Sequence, residues 1–156
     1  MTILAIDPGK RIGYAIFEND GAEVERGVIQ FDDWFSPVIS NRPLVLSSDY
    51  SGDLYLLFKG DYDDIDKLIV EGFTHDPTIK QGGSEHWASQ VVGSVKTFGQ
   101  QTETPVYVQP ASVLSVAMMI TGYEKPVTKT GNKKHLPDED SAWLHGRYWL
   151  HANEIL

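Results

Sequence analysis

Ile3-Leu4-Ala5-Ile6-Asp7-Pro8-Gly9 is the stretch from which the fold is read. Four consecutive apolar residues make a short buried strand, the aspartate closes it, and Pro-Gly turns the chain. Ile12 to Phe17 reads as a second strand, and Asn19-Asp20-Gly21 is a hairpin signal leading into a third strand from Val24 to Phe31. An antiparallel meander therefore comes first.

Residues 32–64 mix Trp34, Phe35, Pro37 and Pro43 with paired serines, and the reading there is loop plus one short helix near Gly52 to Lys59. Lys67-Leu-Ile-Val-Glu71 is an apolar run ended by a carboxylate, the pattern of a central strand covered on both faces. After Gln81-Gly82-Gly83, Ser84 can cap a helix whose Trp87, Val91, Val95 and Phe98 recur at helical spacing. Thr104 to Val108 is a further strand, Pro110 can open a helix through Met119 that Gly122 stops, and a last helix starts at Pro137 or Asp138. The expected fold class is α/β: one domain over residues 1–156 with a mixed five-stranded sheet, a three-stranded meander followed by alternating helices and strands, flanked by helices.

A chain of 156 residues can bury about two thirds of the surface it exposes when unfolded, so no staple is needed. It has no cysteine, which removes disulfides, thiolate zinc sites and cysteine nucleophiles together. Any metal must then be held by oxygen or imidazole, and Mg²⁺ or Mn²⁺ is the natural ion. The first apolar stretch is too short and too soon acidic for a signal peptide, and no segment approaches the ~20 apolar residues of a membrane span. A soluble cytoplasmic protein is expected.

The net charge of −9 argues against a nucleic-acid partner, whose phosphates are bound by Lys and Arg. Charge is unevenly placed, however. Asp61, Asp63, Asp64 and Asp66 form an acidic run, whereas Lys125, Lys129, Lys133 and Lys134 stand in a stretch without acids, which reads either as a basic edge or as a solvated loop.

Chemistry is concentrated at three acidic points. Asp7 and Glu71 each end an apolar strand, and Asp138-Glu139-Asp140 begins the last helix. If the two strands are neighbours, their carboxylates meet, and a divalent cation is the economical reason to gather groups that otherwise repel. Two such ions about 4 Å apart can activate water and stabilise the leaving oxygen in phosphodiester hydrolysis.

These residues carry a family resemblance. Ile3 to Gly9 followed by Gly13-Tyr14-Ala15 resembles the opening motif of the RuvC-type Holliday junction resolvases, within the ribonuclease H-like nucleases; Lys10-Arg11-Ile12-Gly13 is also similar to the YqgF-type relatives. Ile69-Val70-Glu71-Gly72-Phe73 resembles the second resolvase motif, and His135-Leu-Pro-Asp138 with its helix resembles the closing one. An Asp-x-Gly after a strand also occurs in sugar-kinase-like ATPases, whose chains are far longer.

The resemblance implies a structure-selective endonuclease of bacterial or bacteriophage type. Asp7, Glu71, Asp138 and Asp140 would bind two Mg²⁺ or Mn²⁺ ions, His135 would assist, and 5′-phosphate and 3′-hydroxyl ends would result. A homodimer would cut two symmetrically placed strands of branched DNA, a four-way junction above all, and Lys10, Arg11, Lys80, Lys129, Lys133 and Lys134 are the candidate phosphate contacts. The last motif is ambiguous in register, because the family places alanine directly after the aspartate, whereas Glu139 follows Asp138 and Ser141-Ala142 follows Asp140. Two residues are about 200° apart on a helix, so both acids cannot face one site; the small neighbours favour Asp140, leaving Asp138 to cap or support. The alternatives are a less selective nuclease of flaps, forks or RNA/DNA hybrids, and a non-catalytic nucleic-acid-binding protein. His75, His86, His145 and His151 read as structural or surface groups.

Overall fold

The computed structural model describes residues 2–9, 11–30, 44–48, 54–58, 65–72, 83–127 and 135–156. Strands β1 (Thr2–Asp7), β2 (Arg11–Glu18) and β3 (Glu23–Gln30) form the expected meander. β4 (Leu44–Ser48) and β5 (Leu54–Phe58) pair antiparallel in a separate two-stranded sheet. β6 (Ile65–Gly72), α1 (Gly83–Thr102), β7 (Val106–Pro110), α2 (Val113–Thr121) and α3 (Asp138–Ala152) complete the chain. The main sheet is mixed and five-stranded, in the order β3-β2-β1-β6-β7, with β6 parallel to both β1 and β7.

Two local expectations are corrected. The helix expected near Gly52 to Lys59 is strand β5: Leu54-Tyr-Leu-Leu-Phe58 is an unbroken apolar run, which periodicity alone does not assign, and pairing with Leu44–Ser48 decides it. Pro110 does not open a helix either; it is the last residue of β7, and α2 begins at Val113. Gly122 ends α2 as expected, at φ 70°, and its N–H donates to the Met118 carbonyl in a left-handed cap.

Alternation along the central strands builds two cores. Leu4, Ile6, Tyr14, Ile16, Leu68 and Val70 face α1, where Val91, Val92 and Val95 meet them and Phe98 packs alongside. The side chain of Trp87, from the same expected stripe, lies outside the described residues. Ile3, Ala5, Ala15, Phe17 and Ile69 point the other way, onto Ala142, Trp149 and Leu150 of α3. Each fully buried Ile or Leu contributes about 1.5–3 kcal/mol, so both faces of the sheet are strongly committed. This parity fixes the functional residues too: Asp7 continues Ile3 and Ala5, and Glu71 continues Ile69, so both acids lie on the α3 side.

α3 lies directly on β2 at two glycines. A Cβ on Gly13 would stand 1.9 Å from the Asp138 carbonyl oxygen, and one on Gly146 would stand 2.2 Å from the Phe17 ring. Gly13 is also the partner of Asp7 across the β1–β2 ladder. The first turn of α3 thus touches backbone beside the strand-end aspartate.

Gly13→Ala should destabilise the protein by about 1–3 kcal/mol or more, since backbone on the far side cannot yield as a side chain would. Gly93→Ala is the contrasting case: nothing lies within 4 Å of its added methyl on α1, and a gain of about 0.5–1 kcal/mol is expected. Urea unfolding of both variants measures the difference, and equal effects would contradict this account of the helix–strand contact.

Candidate active site

Ile6 pairs with Val70 in parallel register, so the next residues of both strands, Asp7 and Glu71, emerge together at the carboxyl edge of the sheet. That edge is where α/β folds commonly place their sites. Asp7, Glu71, Asp138, His135, Lys125 and Ser141 line one cleft of about 530 Å³, and Ser112, Leu114, Ser115 and Met118 around α2 form its wall. Residues from four separated segments therefore converge.

Asp7 is electrostatically uncomfortable. Burial, then the neighbouring Glu71 carboxylate, and more weakly Asp138, push its carboxyl up to about 7, although the Ser141 hydroxyl donates to it and opposes the rise. Glu71 accepts a 2.8 Å hydrogen bond from His145 Nε2. His145 is fully buried, and its Nδ1 lies 2.8 Å from Gln109 Oε1, the residue paired with Glu71 in the β6–β7 ladder.

The acids of α3 divide as helix geometry requires, but in the opposite sense to the sequence expectation. Asp138 shares the sheet-facing side with Ala142 and His145 and lies in the cleft with Asp7. Asp140 is turned away: Arg26 Nη1 donates to it at 3.0 Å and the Tyr123 hydroxyl at 2.5 Å. Asp140 in turn favours the neutral phenol, and Tyr123, already desolvated, is held well above the usual tyrosine range. The small neighbours that favoured Asp140 are indeed buried, Ser141 and Ala142 both lying against the sheet, yet about 200° of helix rotation separates Asp140 from Asp138's face.

His135 stands exposed at the cleft's rim, and its Nδ1–H donates to the Leu136 carbonyl at 2.9 Å, which leaves Nε2 directed elsewhere. Arg11, expected to meet phosphate, pairs with Asp138 at 3.3 Å. Such an exposed pair is worth about 0–1 kcal/mol and exchanges readily. Lys10, Lys80, Lys129, Lys133 and Lys134 lie outside the described residues. Two residues were not among the site residues read from the sequence: Lys125, which opens the basic stretch and lines the cleft, and His145, buried behind Glu71, whose helical spacing from Asp138 was the available signal.

As the side chains stand, no three acids or histidines among the described residues form a group that could hold an ion, and Asp138 is paired with Arg11. In chemistry the donors do fit a hard divalent cation: they are carboxylate oxygens, and the raised Asp7 carboxyl marks uncompensated negative charge.

The sequence matches no protein-family model and no curated protein. Among solved structures it is similar to Thermus thermophilus RuvC in complex with Holliday junction substrate, at 10% identity and TM-score 0.48 over 99% of this chain and 96% of that one. A second Thermus thermophilus RuvC structure gives 12% identity and TM-score 0.41 over the same shares. A ROK family protein from Streptococcus pneumoniae, in complex with sucrose, gives 16% and 0.37 over 78% of this chain and 38% of that one. Likenesses of this size carry no functional weight, which rests on the side chains.

The raised Asp7 carboxyl has a consequence for stability. Between pH 4 and 7 the unfolded chain has released this proton while the folded one retains it, so stability falls as pH rises through that window and levels off above about 7. Asp7→Asn removes the penalty. Without divalent ions the variant should match wild type near pH 4 and exceed it at pH 8, by at most about 4 kcal/mol at about 1.4 kcal/mol per unit, less where water reaches the carboxyl. Denaturant midpoints across pH measure the gap; a gap independent of pH would contradict the assignment.

Proposed function

We propose that this protein is a divalent-metal-dependent nuclease of ribonuclease H-like fold that hydrolyses phosphodiesters in branched DNA, with Holliday junctions as the leading substrate. The observation that carries the reading is the convergence of Asp7, Glu71 and Asp138 on one cleft, where no basic group among the described residues offsets the charge of Asp7. A structural role gives no reason to gather three acids where burial and a neighbouring carboxylate push one of them up to about 7.

In this reading Asp7, Glu71 and Asp138 hold Mg²⁺ or Mn²⁺, up to two ions, and Asp138 exchanges Arg11 for the ion. Bound there, the cation supplies Lewis-acid stabilisation of the phosphoryl oxygens and of the leaving alkoxide. The chain's own groups orient and move protons. A neutral His135 ring, with its proton on Nδ1 toward Leu136, presents a bare Nε2 that can take a proton from an attacking water. Attack on phosphorus breaks the P–O3′ bond and leaves a 5′-phosphate and a 3′-hydroxyl. Lys125 at the cleft and Arg11, once released from Asp138, offer phosphate contacts against the negative average. A two-fold pair of chains would present two clefts to two strands.

Cleavage of labelled four-way junctions, forks, linear duplexes and RNA/DNA hybrids, with and without Mg²⁺, tests this. Junctions should be cut fastest and only with the ion; equal rates on linear duplex would remove branched-DNA selectivity, and no cleavage of any substrate would favour a binding protein. Asp7→Asn and Asp138→Asn should each slow cleavage on the order of a thousandfold, and Asp140→Asn by no more than about tenfold, through stability alone. An Asp140 effect as large as that of Asp138 would reverse the assignment of α3.

A further inference from the structure

His145 is a fully buried, hydrogen-bonded imidazole in a helix otherwise packed by Ala142, Leu144, Trp149 and Leu150. A polar ring in such a place costs stability unless both nitrogens are satisfied, and here both are, each at 2.8 Å. The partners come from adjacent strands at one rung of the sheet, Glu71 on β6 and Gln109 on β7. A carboxylate only accepts, so Nε2 carries the proton toward Glu71 Oε2. Gln109 can serve either state of Nδ1, accepting through its oxygen or, with the amide turned, donating through its nitrogen.

We infer that His145, braced by Gln109, is a positioning residue that fixes one Glu71 oxygen and thereby presents the other to the cleft. The inference rests on the metal-site reading of Glu71 above. Its physical basis is that a glutamate side chain has three rotatable bonds, whereas a strand-borne amide and a packed ring have nearly none left. Hydrogen-bonded partners of this kind set the orientation of ligating groups.

The test is Mn²⁺ binding by the full-length chain, followed by electron paramagnetic resonance of the free ion. His145→Leu should weaken half-saturation by about 10- to 100-fold, and His145→Gln, whose amide nitrogen can replace Nε2–H, should stay within about threefold of wild type. In a Glu71→Gln background, His145→Leu should change nothing further. An unchanged midpoint in His145→Leu, or the same loss in both backgrounds, would overturn the inference. Should His145→Leu fail to fold, Gln109→Leu carries the same expectation in the same two backgrounds.

Long-range ¹H–¹⁵N spectra of the histidines, recorded without metal, give a second readout. Nε2 of His145 should be protonated, and its signal should move in Glu71→Gln; a bare Nε2 or an unmoved signal would overturn the coupling. If wild type bound no Mn²⁺, the metal reading would fall, and these spectra would still decide whether His145 holds Glu71.

Discussion

The closeness of α3 to β2 at Gly13 is the constraint on which the carboxyl edge of the sheet depends. With no side chain there, the backbone of Asp138 rests against the strand, and the helix can bring Asp138, Ser141 and His145 to the ends of β1 and β6. Gly146 repeats the approach two turns later, where the Phe17 ring takes the space a side chain would fill. Between those contacts Ala142 completes the apolar layer. The helix is held by packing along its length, so its first turn, the part bearing the acids, has little freedom to withdraw.

That rigidity works against the charges it gathers. The sheet parity that buries Ile3, Ala5 and Ile69 also delivers Asp7 and Glu71 to the same face, and among the described residues neither acid has a basic partner of the strength that Arg26 gives Asp140. The protein thus separates two acidic environments within three residues of α3. Asp140 is paired with a guanidinium and accepts a hydrogen bond from a phenol; Asp138 is held loosely by an exposed arginine and faces the cleft. Stability sacrificed at one edge of a well-packed sheet is the pattern of a functional site.

Much of this was legible in the sequence. The strand-end positions of Asp7 and Glu71 followed from apolar runs closed by single acids, and the meander from Asn19-Asp20-Gly21, whose turn the structure keeps with the Ala22 N–H donating to Asp20 Oδ1. The β4–β5 pair was not, because Leu54 to Phe58 has no period and only its partner strand defines it. The choice between Asp138 and Asp140 turned on a helix phase that small neighbours alone did not fix, since Ser141 and Ala142 flank both faces. His145 was passed over because burial is a tertiary property, and the Glu71–Gln109 rung that receives it joins residues 38 apart in the chain. The phosphate-binding lysines proposed at Lys129, Lys133 and Lys134 lie outside the described residues, and of that basic stretch Lys125, which was not among them, lines the cleft.

The central claim is that the carboxyl edge binds a divalent cation through Asp7, Glu71 and Asp138. A crystal structure of the protein soaked in Mn²⁺, with the ion located by its anomalous signal, tests it most directly. The account predicts a peak within coordination distance of Asp7 and Glu71, Asp138 turned from Arg11 toward it, and Asp140 still bonded to Arg26 and Tyr123. A peak at Asp140, or none in the cleft under saturating Mn²⁺, would contradict it.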